Sequence, residues 1–458
     1  MTPGQNDVWF LPLGGCGEIG MNMNLYGHDD SWLMVDCGVT FRDPDGTNRS
    51  GYRVQMANPS FIAERRESLH GIVLTHAHED HIGAVPHLWS KLQCPIFATS
   101  FTAEMLRRKL VEHGLDGKVP IHIVEAGDRR RIGSFYVQWV AHTHSIPDPC
   151  GVVIETPDLR IFHTADWKLD PEPQVGHHYA EDTYRALGDA GVDVMVCDST
   201  CAPVKGHSTS EADLYPGLKH YVENATGRVA VGCFGSNIAR LKTLARIAKE
   251  TDRQLGLLGR SLINTVSAAR AVGLWDEQAE IDVAHLGYLP PEAVLLVATG
   301  SQGESRTALD RLSRETLREL ALTPGDLVLL SARAIPGNET EIDHMVQRFA
   351  MMGVNVVRPE NTDRMIHASG HPAQDELALL YDWTQPDVII PVHGETEHMD
   401  AQVDVARACG IGRRLSGLNG DLFVLAPNKA IRREAVRTGR LGVGRKALEE
   451  ITVSKEPG

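Results

Sequence analysis

Three histidines and two acidic residues crowd the stretch Thr75-His76-Ala77-His78-Glu79-Asp80-His81-Ile82-Gly83. Imidazole nitrogens and carboxylate oxygens are the donors that zinc and similar borderline dications take. Buried without partners, such groups would each cost roughly a few kcal/mol, so packing alone does not explain the cluster. One metal accepts about four ligands, so the cluster needs partners from elsewhere or divides between two metals. Candidate partners stand after other apolar runs: His144 in Ala141-His142-Thr143-His144-Ser145-Ile146-Pro147-Asp148, Asp166 in Phe162-His163-Thr164-Ala165-Asp166-Trp167, and His393 in Pro391-Val392-His393-Gly394-Glu395. His142 and His163 stand two and three residues before candidate donors, and His177 and His178 read as exposed loop residues.

The elements that must carry these donors are short and apolar. Trp32–Val35, Ile72–Leu74, Val192–Val196 and Val388–Ile390 read as buried strands, and the first histidine cluster follows the run Gly71–Leu74 directly. Asn237 to Glu250 reads as a helix, with Ile238, Leu241, Leu244, Ala245 and Ala248 on one face and Ser236 as N-cap. Strand and helix signals interleave, so the class is α/β. Punctuated zones at Pro203–Ser210 and Pro359–Asp363 have chemical motifs on both outer sides, which suggests a domain inserted between two parts of another. The stretch from about Arg432 to Gly458 is polar and charged and reads as a partly frayed tail.

Composition sets the outer limits. The chain has 458 residues, enough for roughly two or three compact units. It is 42% hydrophobic and 23% charged, which excludes a disordered or fibrous protein. No stretch approaches the ~18 apolar residues of a membrane span, and Met1–Asp7 lacks the features of a secretion signal. No membrane partner is expected, and the expected compartment is the cytoplasm. The eight cysteines are scattered without a CxxC pair, as for small buried residues kept reduced. Lys and Arg total 45 against 60 Asp and Glu, for a net charge of −15. That balance opposes wholesale attraction to nucleic acid, but bound dications reverse the field inside an acidic pocket.

The motifs carry a family resemblance. The HxHxDH cluster, the later His and Asp, and His393 resemble the metallo-β-lactamase fold motifs, with Asp36 in Val35-Asp36-Cys37-Gly38 matching the first of them. Leu13-Gly14-Gly15-Cys16-Gly17-Glu18-Ile19-Gly20 begins a closer series resembling the ribonuclease J proteins of the β-CASP group. It continues through His144–Asp148, Asp198-Ser199-Thr200, Thr299–Glu304, Ile335-Pro336-Gly337-Asn338-Glu339 and His367-Ala368-Ser369-Gly370-His371. The resemblance implies a metallo-β-lactamase αββα sandwich with an inserted α/β β-CASP domain. It divides the chain into a first sandwich part at 1–204, a β-CASP domain at 205–361, a second sandwich part at 362–430 and a C-terminal tail at 431–458. The further C-terminal domain of many members is expected to be absent or a remnant, and a homodimer is the candidate assembly.

Carried over by position, the family pattern implies His76, His78 and His144 on one divalent metal ion, Asp80, His81 and His393 on a second, and Asp166 bridging. Zinc is the expected ion, with manganese the alternative. Two dications ~3.5–4 Å apart clamp the attacking and leaving oxygens of a phosphodiester, and a metal-bound water of lowered pKa is the expected nucleophile. The resemblance implies His371 as general acid oriented by Asp198, and Asp80 is counted with them as catalytic. Ser236, Asn237, His367, Ser369, Gly370 and His371 are the expected substrate contacts, as backbone N–H groups and small side chains suited to phosphate. Ala239 departs from the pattern, where a histidine commonly stands. Arg240, Arg260 and Arg333 are candidate phosphate contacts or structural arginines, and Arg129-Arg130-Arg131 reads as a solvated turn. The expected function is hydrolysis of single-stranded RNA, 5′-to-3′ exonucleolytic with endonuclease activity alongside. The rivals are a small-molecule ester, lactone or β-lactam hydrolase, and a silent RNA-binding module.

Overall fold

The computed structural model describes residues 1–43, 49–277, 280–335, 338–445 and 447–451. Pro336 and Gly337 of the Ile335–Glu339 motif therefore lie outside the described residues. Alternation along the strands decides the architecture. In Val194–Asp198, Val194 and Val196 face one apolar core while Met195 and Cys197 face another; in Ser31–Val35, Leu33 and Val35 share that first core while Trp32 and Met34 point away. Side chains alternate across a strand, so strands that are apolar at every position need cover on both faces.

Two sheets supply the inner cover for one another. Among the described residues, one sheet has eight strands, in the order Ala430–Arg432, Leu422–Ala426, Val8–Gly14, Met23–His28, Ser31–Val35, Leu69–Val73, Ile96–Ala98 and Ile121–Ile123. The facing sheet has seven: Arg413–Arg414, Val388–Val392, Val194–Asp198, Arg160–His163, Cys150–Glu155, Phe135–Ala141 and Arg129–Ile132. Between them pack Phe10, Tyr26, Val73, Trp139, Val152, Ile390 and Phe423, all buried. Helices Val85–Leu92 and Ser100–Glu112 cover the first sheet, and Glu181–Asp189, Gln374–Thr384 and Thr396–Ala408 cover the second. The result is an αββα sandwich.

A third sheet is parallel throughout, in the order Gln254–Leu258, Val294–Ala298, Val229–Gly232, Leu327–Leu330 and Asn355–Val357. All five strands fall between the sandwich strands Val194–Asp198 and Val388–Val392, so this unit is an insertion. The sandwich strands Ser31–Val35 and Leu69–Val73 are parallel, as are Arg160–His163, Val194–Asp198 and Val388–Val392. Every donor segment singled out above begins at the carboxyl end of one of these strands or of Phe135–Ala141, the edge at which open α/β sheets place their ligands.

Two expectations are corrected here. The N-cap of helix Ile238–Glu250 is Asn237, whose side chain accepts the Arg240 backbone N–H, because Ser236 is turned toward His78. Among its described residues the tail carries strands at Arg440–Val443 and Leu448–Ile451. Arg440–Val443 pairs with Gln55–Ala57 and with Leu448–Ile451, Leu441 is buried, and Arg440 forms an ion pair with Glu18. Polarity misleads at that point because the polar groups find partners in the sandwich. Residues 446 and 452–458 of that stretch lie outside the described residues.

Candidate metal centre

Three loops are held in backbone conformations that cost energy. Asp36, Ala165 and His393 are non-glycine residues with φ of 65°, 52° and 52°. Left-handed backbone in such residues persists where surrounding structure enforces it, and it concentrates at functional sites. His393 is tied down by its N–H to Gly15 O at 2.6 Å, and Asp36 accepts from Thr75 N and Thr75 Oγ1 at 2.9 Å each. Asp36 thus fastens the start of the histidine loop. It also accepts from His81 Nδ1 at 2.7 Å, which turns His81 Nε2 toward the cluster.

The seven expected donors converge in two groups that share Asp166, within each of which the donor atoms lie within 4.8 Å of one another; Asp166, Asp198, His371 and His393 form a third such group. In the first group, His76 Nε2 and His144 Nε2 each stand 3.1 Å from His78 Nδ1, and both are 3.7 Å from Asp166 Oδ2. In the second, His81 Nε2 stands 3.3 Å from Asp166 Oδ2 and 3.6 Å from Asp80 Oδ2. His393 Nε2 is 3.1 Å from Asp80 Oδ2, and its Nδ1 is 3.7 Å from Asp166 Oδ1. A tetrahedron with zinc–nitrogen bonds of about 2.1 Å has edges of about 3.4 Å, so these separations are those of ligands around a common ion. Asp166 Oδ1 is buried and, among the described residues, accepts no hydrogen bond, the condition of an oxygen waiting for a cation. The residues fit a divalent metal.

Charge tells the same story. Burial, then the neighbouring imidazolium of His81, holds the His76 pKa well below the usual histidine range. Burial pulls His78 down to about 4, and burial followed by His78 pulls His144 down. Neutral imidazole is the form that ligates. In the second group burial opposes charging of His81 and His393, but Asp166 and the other carboxylates around them outweigh it and raise both pKa values. This half of the site holds an excess of negative charge that attracts a cation. Burial likewise opposes ionisation of Asp166, yet the cationic rings of His393 and His81 keep it below the carboxylate range.

Gly370 closes the first group from above. Its carbonyl accepts from His144 Nδ1 at 2.6 Å, which leaves Nε2 for the cluster. A Cβ on Gly370 would lie 2.7 Å from His144 Cε1 and from Ser145 Oγ, so the contact requires glycine. Beside it, His371 Nδ1 donates to Asp198 Oδ2 at 2.7 Å, and His371 Nε2 is 4.0 Å from Asp166 Oδ2. Burial opposes a charge on His371, but Asp198 and Asp166 outweigh it and raise its pKa. Asp198 is held in turn by Thr200 N at 2.8 Å and Thr200 Oγ1 at 2.7 Å. Thr200 Oγ1 also lies 2.8 Å from His393 Nδ1, a link to which the sequence analysis assigns no role. The adjoining Asp-Ser-Thr order is its only sequence signal, since a Thr two residues after an Asp is placed to cap it.

The expected substrate contacts divide. Ser236 Oγ stands 3.1 Å from His78 Nε2, and Ser369 Oγ accepts the His371 N–H at 3.2 Å. Among the described residues His367 Nδ1 is buried without a hydrogen-bond partner, and burial, then Arg240, pulls its pKa down to about 3. Asn237 does not face the site: its Nδ2 donates to Glu211 at 3.0 Å and its Oδ1 caps the helix. Arg240 is also turned inward, paired with Glu211 at 2.8 Å, so it is not available to phosphate. Arg260 and Arg333 are exposed. His142 bonds Tyr184 Oη at 2.6 Å and His163 bonds Tyr26 Oη at 2.8 Å, both outside the donor groups, while His177 and His178 are exposed. Arg129–Ile132 is an edge strand rather than a turn.

Known proteins share this organisation. Family models described as "Beta-lactamase superfamily domain", "Ribonuclease J, beta-CASP domain" and "Zn-dependent metallo-hydrolase RNA specificity domain" match residues 31–211, 226–349 and 355–411. Ribonuclease J of Sinorhizobium meliloti is 39% identical over 431 residues, covering 93% of this chain and 76% of that protein. Ribonuclease J of Mycolicibacterium smegmatis is 37% identical over 404 residues, covering 87% and 71%. The corresponding protein of Mycobacterium tuberculosis is 34% identical over 437 residues, covering 94% and 77%. The crystal structure of a protein of unknown function from Enterococcus faecalis V583 shares the fold, with a TM-score of 0.62 at 17% identity over 91% of this chain and all of that one. With three family models in sequence along it and identity of this extent to curated relatives, the chain belongs to the ribonuclease J family.

Proposed function

We propose that the protein is a metal-dependent ribonuclease that hydrolyses phosphodiesters of single-stranded RNA, working 5′-to-3′ as an exonuclease with endonuclease activity alongside. The observation that carries this reading is the pair of donor groups sharing Asp166, with the His371–Asp198 pair beside them and the edge of the inserted domain above. A small-molecule hydrolase has little use for a domain roofing its site. His76, His78, His144 and Asp166 would hold one ion, and Asp80, His81, His393 and Asp166 the other. Zinc is the proposed ion, with manganese the alternative. When bound, such dications supply Lewis acidity and a nucleophile at neutral pH.

The chain's own groups do the rest. Asp36 and Gly370 fix the rings of His81 and His144 by their Nδ1 atoms, so both present Nε2. Expulsion of a ribose oxygen requires a proton, which His371 holds at Nε2 while Asp198 keeps its Nδ1 occupied and its charge favoured. Ser236, whose Oγ stands 3.1 Å from His78 Nε2, and the small residues of the His367–His371 loop would contact the phosphate, and Ser369 holds the backbone of His371. We assign this chemistry to the sandwich parts at 1–204 and 362–430, and substrate grip to Ser236 of the inserted unit at 205–361 together with the His367–His371 loop of the second sandwich part. The eight free cysteines suit a reducing cytoplasm.

The test is incubation of the purified protein with 5′-monophosphorylated and 5′-hydroxyl RNA in the presence of zinc or manganese. Mononucleotide release that is lost in His76→Ala and His371→Ala supports the proposal. Absence of RNA turnover with either metal, alongside rapid lactone hydrolysis, refutes it.

A further inference from the structure

A second charged cluster lies behind the metal site and takes no part in the chemistry above. Lys168, Asp170, Glu211 and Arg240 are all at least 98% buried. Their charges balance, two positive against two negative. Lys168 Nζ lies 2.9 Å from Asp170 Oδ2 and donates to Thr209 O at 3.0 Å. Asp170 accepts from Ser210 Oγ and from Glu211 N at 3.0 Å. Glu211 receives two bonds from the Arg240 guanidinium, at 2.8 and 2.9 Å. Arg240 Nη1 donates to Ser331 O at 2.9 Å and to Ser331 Oγ, and Ser331 Oγ donates to Ile366 O.

The location of these groups matters more than their number. Lys168 and Asp170 follow the shared donor Asp166, and Thr143 Oγ1, next to His144, bonds Lys168 O at 2.7 Å and Asp170 N at 2.9 Å. Thr209 to Glu211 is the segment by which the chain enters the inserted domain. Arg240 opens the helix that follows Ser236. Ile366 precedes the His367–His371 loop, where the chain returns. The cluster therefore ties the metal-site loop, both crossings and both segments that roof the metal site into one hydrogen-bonded unit. Apolar packing tolerates sliding, whereas a bidentate Arg–carboxylate pair has one geometry. A buried ion pair adds little net stability over apolar residues of the same volume, so charges buried at such a place suit a role in orientation.

We propose that Glu211 and Arg240 are positioning residues for RNA cleavage, their buried ion pair docking the inserted domain so that Ser236 meets His78 and the His367–His371 loop meets His144. This rests on the ribonuclease reading above, because docking of the roof matters to a polymer held beneath it and little to a small diester that reaches the metal site unaided.

The test compares RNA with bis(p-nitrophenyl) phosphate in the full-length, metal-loaded protein. The double variant Glu211→Gln/Arg240→Met removes both charges together, so neither is left buried and unpaired. It is expected to keep the metal content of the wild type and its turnover of the small diester within about twofold, while kcat/KM for RNA falls roughly tenfold to a hundredfold, the scale of an ångström-sized misplacement. RNA cleavage within about twofold of wild type overturns the proposal, as does parallel loss of both activities in folded, metal-loaded protein. If the double variant does not fold, Ser331→Ala decides, since it removes only the hydroxyl joining Arg240 to Ile366. A selective loss on RNA of about threefold or more supports the proposal, and equal activity overturns it. Wild-type protein that turns over the diester but no RNA instead removes the functional reading, and the proposal falls with it.

Discussion

Replacement of Asp198 by Asn tests the acid role of His371 with little change of shape. The Asp198 Oδ1 bonds from Thr200 can be kept by the Asn carbonyl, which leaves an NH2 group facing His371 Nδ1 where Oδ2 now accepts at 2.7 Å. A donor at that position forces Nδ1 to carry a lone pair, so the ring holds its proton at Nε2 as a neutral imidazole, a poor acid. Hydrogen bonds to charged groups contribute about 1.5–3 kcal/mol. At about 1.36 kcal/mol per tenfold in rate, kcat for RNA falls roughly 10- to 150-fold. The pH profile moves as well. Asp198 and Asp166 outweigh burial and raise the His371 pKa, which extends its charged form to higher pH, so activity in the wild type is present below that pKa and is lost as pH rises through it. Without the Asp198 charge the same limb moves to lower pH. The assay is kcat and kcat/KM on 5′-monophosphorylated RNA across the pH range, with metal content measured in parallel. An Asp198→Asn variant of wild-type rate and unmoved basic limb, with full metal content, refutes the acid assignment.

Three further outcomes follow from the geometry. Gly370→Ala places a methyl 2.7 Å from His144 Cε1 and displaces that ring, so metal affinity by competitive chelation falls about 10- to 100-fold, as for other residues that support a ligand. Asp36→Ala frees both Thr75 and His81, and the same assay is expected to show a loss of about 10- to 100-fold. Leu441→Ala in the strand pairing with Gln55–Ala57 costs about 2–3 kcal/mol, read as a lower denaturation midpoint with metal content unchanged; a midpoint equal to wild type removes the strand from the folded sandwich.

Much of this is legible in the sequence because the donors are rare residue types after apolar runs. His76, His78, Asp80 and His81 announce themselves by spacing, and His144, Asp166 and His393 by the strands that end before them. The α/β class follows from apolar runs such as Val192–Val196 interleaved with helical segments, whereas the αββα sandwich is legible only through the resemblance to the metallo-β-lactamase motifs. What stays hidden depends on where a side chain turns. Asn237 and Arg240 stand in a segment that suits phosphate, yet both face Glu211, a partner 29 residues before Arg240 that no periodicity reveals. The strand at Arg440–Val443 is hidden because its partner Gln55–Ala57 lies nearly 400 residues away, and Leu448–Ile451, which pairs only with Arg440–Val443, is hidden with it; local polarity reads as fraying.

Elemental analysis of the purified protein after loading with zinc or manganese and removal of free ion, repeated on Asp166→Ala, tests the central claim most directly. A pair of dications per chain in the wild type, with both lost or weakened together when their shared carboxylate is removed, is the expected result. A protein that retains no dication, or whose bound metal is unaffected by loss of Asp166, contradicts it.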